Sequence, residues 1–367
     1  MNLRNLLPSL LPGTILTAII AFLGLQSSER IGTDWLGFSK SPISGIMMAI
    51  LIGLVIGNLV RLPASFKPGI QFSARRLLRL GIILLGIRLS LGDVFRFGAL
   101  ALPVILVCIG GAILFTRWLG GRLNLSARMS ALVAIGTSIC GATAIVATGP
   151  AIDAREEEVT YAVANITVFG VLAMLLYPYL AGALFSSQPT AAGLFLGTSI
   201  HETAQVAGGS LIYAQAFNAP AALDAATVTK LIRNVFIALL VPLMTLLYHR
   251  QTDGGSGQRQ SFFSLFPVFI LGFLALAAIR TLGDMTLTNG RAFGLLAETD
   301  WETLTRAVQS VSEALLATAM AGVGLATGLR QLRALGLRPF YVGFGAAICV
   351  GALSLASIAL LGALGAY

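Results

Sequence analysis

Long apolar runs follow one another from end to end of this chain, and they limit its fold more than any other feature. Only 11% of its 367 residues are charged, whereas a soluble globular protein carries about 25%. Each run is close to the roughly 20 residues that an α-helix needs to cross a bilayer. The pattern predicts an all-α polytopic membrane protein with about 10–11 transmembrane helices, and it excludes a soluble enzyme. The candidate spans are residues 8–25, 43–61, 77–92, 98–119, 127–149, 159–183, 190–214, 224–248, 263–282, 304–328 and 339–364.

Basic residues are concentrated in alternate loops, which gives the expected orientation. Arginine and lysine follow the second, fourth, eighth and tenth spans, while the loops at 153–158 and 298–302 are mixed or acidic. By the positive-inside rule the N-terminus is cytoplasmic, and eleven spans place Tyr367 outside. The net charge of +9 has the same origin, so the expected partner is the lipid bilayer and not nucleic acid.

The whole chain, 1–367, is predicted to form a single integral membrane domain. Within it, the stretch from Gln251 to Gln260 is rich in glycine and glutamine. This composition is typical of a flexible linker. It marks a candidate boundary between two halves, 1–250 and 261–367.

Two related motifs interrupt the fifth and seventh spans. The first reads GTSICGATAIVA from Gly136, and the second reads GTSIHETAQVA from Gly197. Both motifs consist mainly of small and hydroxyl-bearing residues and contain no leucine. An uninterrupted membrane helix does not need this composition. A helix broken at mid-membrane does need this composition, because freed backbone groups and a polar ligand must be accommodated there. We therefore predict two broken or re-entrant helices, and the span count leaves open whether they run parallel or antiparallel.

A weaker similarity links two glycine-spaced stretches, GIRLSLG from Gly86 and GLATGLR from Gly324. By the span count these two stretches run in opposite directions. Opposite direction is the mark of an inverted repeat, a common organisation of secondary transporters.

His201 and Glu202 are the sharpest chemical signal in the sequence. An ionisable pair within a membrane span is costly and usually lines a cavity or pathway. Histidine titrates near neutral pH, so His201 would supply a proton-dependent positive charge. Glu202 would hold His201, accept a coupling proton or help to bind a cation. The alternative is a buried polar cluster that only holds helices together.

Lys230 and Arg233 are three residues apart and therefore share one face of a helix. We predict that they face an anion; the alternative is that they extend to the lipid headgroups. Uncharged candidates for substrate binding surround them in the two motifs, although small residues there could also serve tight helix packing. These candidates are Gly136, Thr137, Ser138, Gly141, Thr143, Thr198, Ser199, Thr203, Gln205 and Asn234.

Four other polar residues stand within apolar segments. Arg88 and Glu313 are isolated charges, and each is interpreted as a counter-ion or as lying near a membrane interface. Asn165 and Thr167 are interpreted as polar residues of helix packing.

Several motifs of enzymes and pumps are missing from the sequence. It contains no GxxxxGK[ST], HExxH, CxxC or GxSxG pattern, which argues against an ATP-driven pump, a metalloprotease or a hydrolase. The three cysteines lie in apolar segments without the spacing of metal ligands. We therefore expect no catalytic residues, no metal and no cofactor.

Four stretches together resemble the YeiH-like family of bacterial inner-membrane proteins, which is described as a family of sulfate exporters. They are GTSICGATAI from Gly136, GTSIHETAQV from Gly197, TKLIRN from Thr229 and LRLGIILLG from Leu78. The resemblance covers nearly the whole chain. It implies an inverted-repeat fold with crossed, broken helices, a core domain and a panel domain, as in bile acid, arsenite and riboflavin transporters. It supplies no binding residues, so the candidates above rest on their chemistry.

The first functional hypothesis is a secondary transporter of a small anion, most simply a sulfur oxyanion such as sulfate or sulfite. His201 and Glu202 would carry proton coupling, and alternating access would move one helical bundle against the other. The second hypothesis is a sodium-coupled symporter of a larger organic anion. The third is a gated channel, although nothing in the sequence marks an oligomeric pore. The sequence leaves open whether the protein forms a homodimer.

Overall fold

Helices make up almost all of the chain that the structure describes. The structure is a computed structural model, and it describes residues 3–30, 45–249, 267–287, 291–328 and 337–366. The α-helices are α1 Leu3–Glu29, α2 Gly45–Leu59, α3 Lys67–Phe72, α4 Leu78–Leu85, α5 Leu91–Arg122, α6 Ala127–Ser138, α7 Ala142–Ala151, α8 Glu156–Phe185, α9 Pro189–Ser199, α10 Thr203–Ala216, α11 Pro220–Val235, α12 Ile237–His249, α13 Phe269–Leu287, α14 Glu298–Ala326 and α15 Leu337–Ala363. Shorter elements are the 3₁₀ turns Ala64–Phe66 and Gly86–Arg88, the π-helical segment Ser73–Leu77, and the hairpin strands β1 Arg291–Ala292 and β2 Leu296–Ala297.

Each of the eleven predicted spans overlaps at least one of these helices. Seven continuous segments of the described chain are long and apolar enough to cross a membrane, by length and composition: α1, α5, α8, α11 with the start of α12, α13, α14 and α15. The other four predicted spans overlap the 15-residue helix α2, the eight-residue helix α4 with the 3₁₀ turn that follows it, and the two interrupted segments α6–α7 and α9–α10. The prediction of an all-α polytopic membrane protein is confirmed.

The chain divides into two compact units. Unit 1 comprises Met1–Arg96, Ala214–Asn218 and Val268–Gly328, and unit 2 comprises Phe97–Tyr213, Ala219–Pro267 and Leu329–Tyr367. The linker predicted at Gln251–Gln260 lies outside the described residues, so the boundary between the halves 1–250 and 261–367 stays a prediction.

Unit 1 is assembled around α14, which packs against α1, α2 and α4. Close packing of α14 on α2 depends on glycine, since a Cβ at Gly53 would lie 2.6 Å from the carbonyl oxygen of Ala321. The two isolated charges of the sequence pair with each other here, with Arg88 Nη1 3.5 Å from Glu313 Oε1. Each is thus a counter-ion, the first of the two interpretations.

Unit 2 is built around a continuous apolar core drawn from α5 to α12 and α15. Within it α9 lies along α11. A Cβ at Gly193 would lie 2.5 Å from the carbonyl oxygen of Ala222, and one at Gly197 would lie 2.6 Å from Thr229 Cβ. Small residues four apart allow two helix backbones to approach closely in this way. The approach brings the last turn of α9 beside the second half of α11.

Both predicted helix breaks are present in unit 2. Helix α6 ends at Ser138 and α7 begins at Ala142, and between them Gly141 adopts φ +71° and ψ −125°. Only glycine enters this region readily, because it has no Cβ. Helix α9 ends at Ser199 and α10 begins three residues later, with the intervening backbone extended at Ile200. Each break leaves carbonyl groups at one helix end and N–H groups at the next without partners in the helix.

Candidate functional site at the two helix breaks

Lys230 connects the two breaks from helix α11. Its side chain is 1% exposed, and Nζ donates hydrogen bonds to the carbonyl oxygens of Ile139 at 2.8 Å, of Ile200 at 3.0 Å, and of His201. An ammonium group has three N–H donors, so all three are directed at backbone carbonyls of the two breaks. Lys230 does not extend to the surface of its unit.

Arg233, one turn further along α11, binds the carboxyl ends of both α6 and α9. Its Nε donates to the carbonyl of Ser138 at 2.8 Å, Nη1 donates to those of Thr198 at 2.6 Å and Ile200 at 3.2 Å, and Nη2 donates to that of Thr137. The side chain is fully buried. Carboxyl ends of helices carry partial negative charge, which a cation stabilises. The two cations therefore hold together two chain interruptions that lie far apart in sequence.

Glu202 lies where the amino ends of α7 and α10 meet. Its Oε1 accepts long hydrogen bonds from the backbone N–H of Ala142 at 3.4 Å and from Thr167 Oγ1 at 3.5 Å. Its Cγ is 2.5 Å from where a Cβ at Gly141 would stand, so the glycine makes room for the carboxylate. Amino ends of helices favour negative charge. The half-buried carboxylate of Glu202 thus occupies a natural anion position.

Gln205 fixes the backbone around Glu202. Its Oε1 accepts from the N–H of Glu202 at 3.2 Å, and its Nε2 donates to the carbonyl oxygen of Thr167 at 3.0 Å. The side chain is fully buried. Gln205 therefore ties the second break to helix α8, which lies between the two motifs in sequence.

Three buried side chains at the breaks carry polar atoms that have no hydrogen-bond partner among the described residues. They are both ring nitrogens of His201, the hydroxyl of Thr137 and the amide oxygen of Asn234. All three residues are at most 3% exposed, and the amide nitrogen of Asn234 donates to Thr203 Oγ1 at 2.9 Å. Buried polar groups are nearly always hydrogen-bonded, so these atoms suit a ligand or ordered water.

The other predicted residues bond to their own helix, contact a neighbouring helix or lie exposed. Three hydroxyls donate to carbonyls four residues earlier in their own helix, from Ser138 to Ala134, from Thr198 to Leu194 and from Ser199 to Phe195. Gly136 makes room for the side chain of Ile145 on α7. Thr143 is exposed on α7. A role in substrate binding for these residues stays a prediction.

Two participants were missed by sequence reasoning. Thr167 was interpreted as a packing residue, yet its hydroxyl and carbonyl contact Glu202 and Gln205. The other is the set of backbone carbonyls bound by Lys230 and Arg233. A usable signal was the position of Thr167 in the one span between the two motifs. In the described ranges, His, Cys, Asp and Glu form no cluster of three or more that could hold a metal ion.

The helices and the paired breaks define a class, the multi-pass membrane proteins with interrupted helices. The family model described as conserved hypothetical protein 698 matches residues 12–343, and the chain belongs to this family. It is similar to a UPF0324 membrane protein of Corynebacterium glutamicum, 35% identical and covering 86% of this chain and 85% of the relative. A UPF0324 membrane protein of Agrobacterium fabrum is 32% identical, and the match covers 98% of this chain and 95% of the relative.

A third relative, from Nitratidesulfovibrio vulgaris, carries the same UPF0324 name and is 30% identical over 95% of this chain and 93% of its own. The family resemblance drawn from the motifs is confirmed. The protein is a multi-pass bacterial membrane protein.

Proposed function

We propose that this protein is a secondary active transporter of a small inorganic anion, with coupling to protons at Glu202 and His201. A sulfur oxyanion such as sulfate or sulfite is the proposed substrate, and that choice rests on the resemblance to the sulfate-exporter family. The observation that carries the proposal is the excess of positive charge buried at the two helix breaks.

The balance of charge at the breaks favours an anionic ligand. Two amino ends and two carboxyl ends of helices meet there, and their partial charges of about +0.5 and −0.5 cancel. Among the side chains, Lys230 and Arg233 contribute two positive charges and Glu202 one negative charge. With His201 neutral, one positive charge is left over. An uncompensated buried charge is costly, and a bound anion would compensate it.

The amino ends of α7 and α10 are the proposed location of that anion. Their first N–H groups have no partner within the helix, and such groups bind oxyanions readily. The carboxylate of Glu202 itself already accepts long hydrogen bonds there, from the backbone N–H of Ala142 and the hydroxyl of Thr167. We propose that substrate and Glu202 compete for these donors, so that protonation of Glu202 accompanies binding.

His201 is proposed to complete the site. Neither of its ring nitrogens has a partner among the residues described, so the ring is available to donate a hydrogen bond to an oxyanion. Protonation would add a second positive charge near the substrate. The sodium-coupled alternative has less support, since Lys230 already occupies three carbonyls of the breaks.

The proposal is tested by transport into proteoliposomes that contain the purified protein. Uptake of radiolabelled sulfate and sulfite is measured under an imposed pH gradient and, separately, as exchange against unlabelled anion at equal pH. The variant Glu202→Gln keeps the size and the acceptor oxygen of the side chain but removes its charge and its proton site. We expect pH-driven uptake to fall to the level of empty liposomes while exchange persists.

Glu302→Gln is the matched control, because Glu302 is an exposed carboxylate that pairs with Arg306 on α14. It should transport like the unmodified protein. Unimpaired pH-driven uptake by Glu202→Gln would contradict coupling at Glu202. If the unmodified protein transported neither sulfate nor sulfite, the substrate assignment would be contradicted.

A further inference from the structure

Lys230 lies in a coordination site that would suit a free cation. Carbonyl oxygens of Ile139 and Ile200 lie 2.8 and 3.0 Å from Nζ, and that of His201 completes the set. The three oxygens come from both breaks, in two segments separated by about sixty residues along the chain. In transporters with interrupted helices, unwound carbonyls and carboxyl ends of helices are the groups that coordinate coupling cations.

We propose that the ammonium group of Lys230 is a tethered cation, which permanently fills a monovalent cation site formed by the two breaks. The existence of this cation site does not depend on the proposed transport function. Its consequence for transport rests on the proposed function: the protein would move its substrate without sodium or another free metal cation, because the chain supplies the charge for that site, while proton coupling stays with Glu202 and His201.

The contacts distinguish a cation site from ordinary packing of a lysine. The side chain is 1% exposed, and its neighbour Arg233 is fully buried, so neither charge reaches water. All three N–H groups of Lys230 meet carbonyl oxygens, and no carboxylate accepts from Nζ among the described residues. A ring of neutral carbonyls with a central charge is the arrangement that proteins use for monovalent ions.

Removal of the side chain should therefore leave a vacant cation site. Lys230→Ala removes three methylene groups and the ammonium group, which together correspond to a propylammonium ion. Thermal unfolding of the purified variant is measured in detergent with increasing propylammonium chloride. We expect the midpoint, lowered by the substitution, to rise by about 3 °C or more at saturation, since a ligand that binds only the folded state stabilises it. The unmodified protein should not respond.

Arg233→Ala is the matched control on the same face of α11. Its lost atoms correspond to an ethylguanidinium ion, so it should respond to ethylguanidinium and not to propylammonium. Lys230→Ala should show the opposite preference. Equal responses of both variants to both ions, or no response of Lys230→Ala to propylammonium, would overturn the proposal.

A second measurement needs no variant and applies even where Lys230→Ala does not fold. Sodium chloride is replaced by choline chloride at constant ionic strength, and thermal unfolding of the unmodified protein is followed. An unchanged midpoint is expected, while specific stabilisation by sodium would overturn the tethered-cation site. Neither unfolding assay uses a transport substrate. The cation-site proposal can therefore be refuted while transport is observed, and the transport proposal can be refuted while the cation site is found.

Discussion

At the scale of single residues, Gly141 shapes the first break. Its φ of +71° with ψ of −125° lies in a region that residues with a Cβ rarely adopt. A side chain there would also collide with Glu202, whose Cγ would stand 2.5 Å from the new Cβ. The backbone and the carboxylate therefore both require glycine at this position.

Gly141→Ala should consequently lose more stability than backbone strain alone explains. Strain from this sparsely populated backbone region costs about 1–3 kcal/mol, and displacement of a closely packed neighbour adds roughly 1–3 kcal/mol. We expect a lower midpoint of thermal unfolding in detergent and, on the proposed function, loss of pH-driven transport.

Gly294→Ala isolates the strain, because Gly294 has φ +73° but no atom within 4 Å of a new Cβ. It should lose only the strain energy. Equal losses for the two substitutions would show that the contact between Gly141 and Glu202 has no energetic weight.

At the scale of elements, the position of Lys230 and Arg233 depends on how closely α9 approaches α11. Gly193 and Gly197 permit this approach, and they are four residues apart, so they lie on one helix face. Any side chain on that face would push α11 away from the carboxyl end of α9. The hydrogen bonds of Arg233 to Thr198 and Ile200, at 2.6 and 3.2 Å, would then lengthen.

Gly197→Ala should therefore destabilise the protein by about 1–3 kcal/mol, the usual cost of overpacking. Gly110→Ala on α5 is its control, since nothing lies within 4 Å of a Cβ there. Alanine is the better helix former by up to about 1 kcal/mol, so this control should be neutral or slightly stabilising. Thermal unfolding of both variants measures the difference, and equal stability of the two would refute the role of the α9–α11 contact.

Much of the element structure could be predicted from the sequence. Apolar runs gave the spans, and the two hydroxyl-rich motifs gave the breaks, because both signals are local. The partners of Lys230 and Arg233 were out of reach, since their carbonyls lie 29 to 96 residues away and every residue has a carbonyl. The hydroxyls of Ser138 and Ser199 suggested substrate contacts, but such groups can also bond to the preceding turn of their own helix, as they do here.

At the scale of the whole molecule, the distribution of basic residues predicts the orientation in the membrane. The loops after the even-numbered spans 2, 4, 8 and 10 are basic, and such loops remain in the cytoplasm. The predicted orientation assumes eleven crossings, in which α6–α7 and α9–α10 each cross once.

Reporter fusions check this orientation. Green fluorescent protein inserted within 251–260 should fluoresce, because that loop is predicted to be cytoplasmic, and alkaline phosphatase fused after Tyr367 should be active outside. Reciprocal fusions serve as controls and should be silent. Active phosphatase at both sites would mean that the number of crossings between them is even.

The contacts of Lys230 and Arg233 with the two breaks also have consequences for the order of synthesis, since a ribosome makes the chain from its N-terminus. Ser138 precedes the arginine that binds its carbonyl by 95 residues, a distance that takes roughly 5–20 s to synthesise at usual rates. The residues of both breaks therefore leave the ribosome before α11, the first break by 95 residues and the second by about 35. Helix α11 brings two cationic side chains into the bilayer, and the carbonyl groups that accept their hydrogen bonds have been synthesised before it. We therefore expect the segments at the two breaks to be inserted first and to be joined only when α11 arrives, so that insertion of α11 completes unit 2.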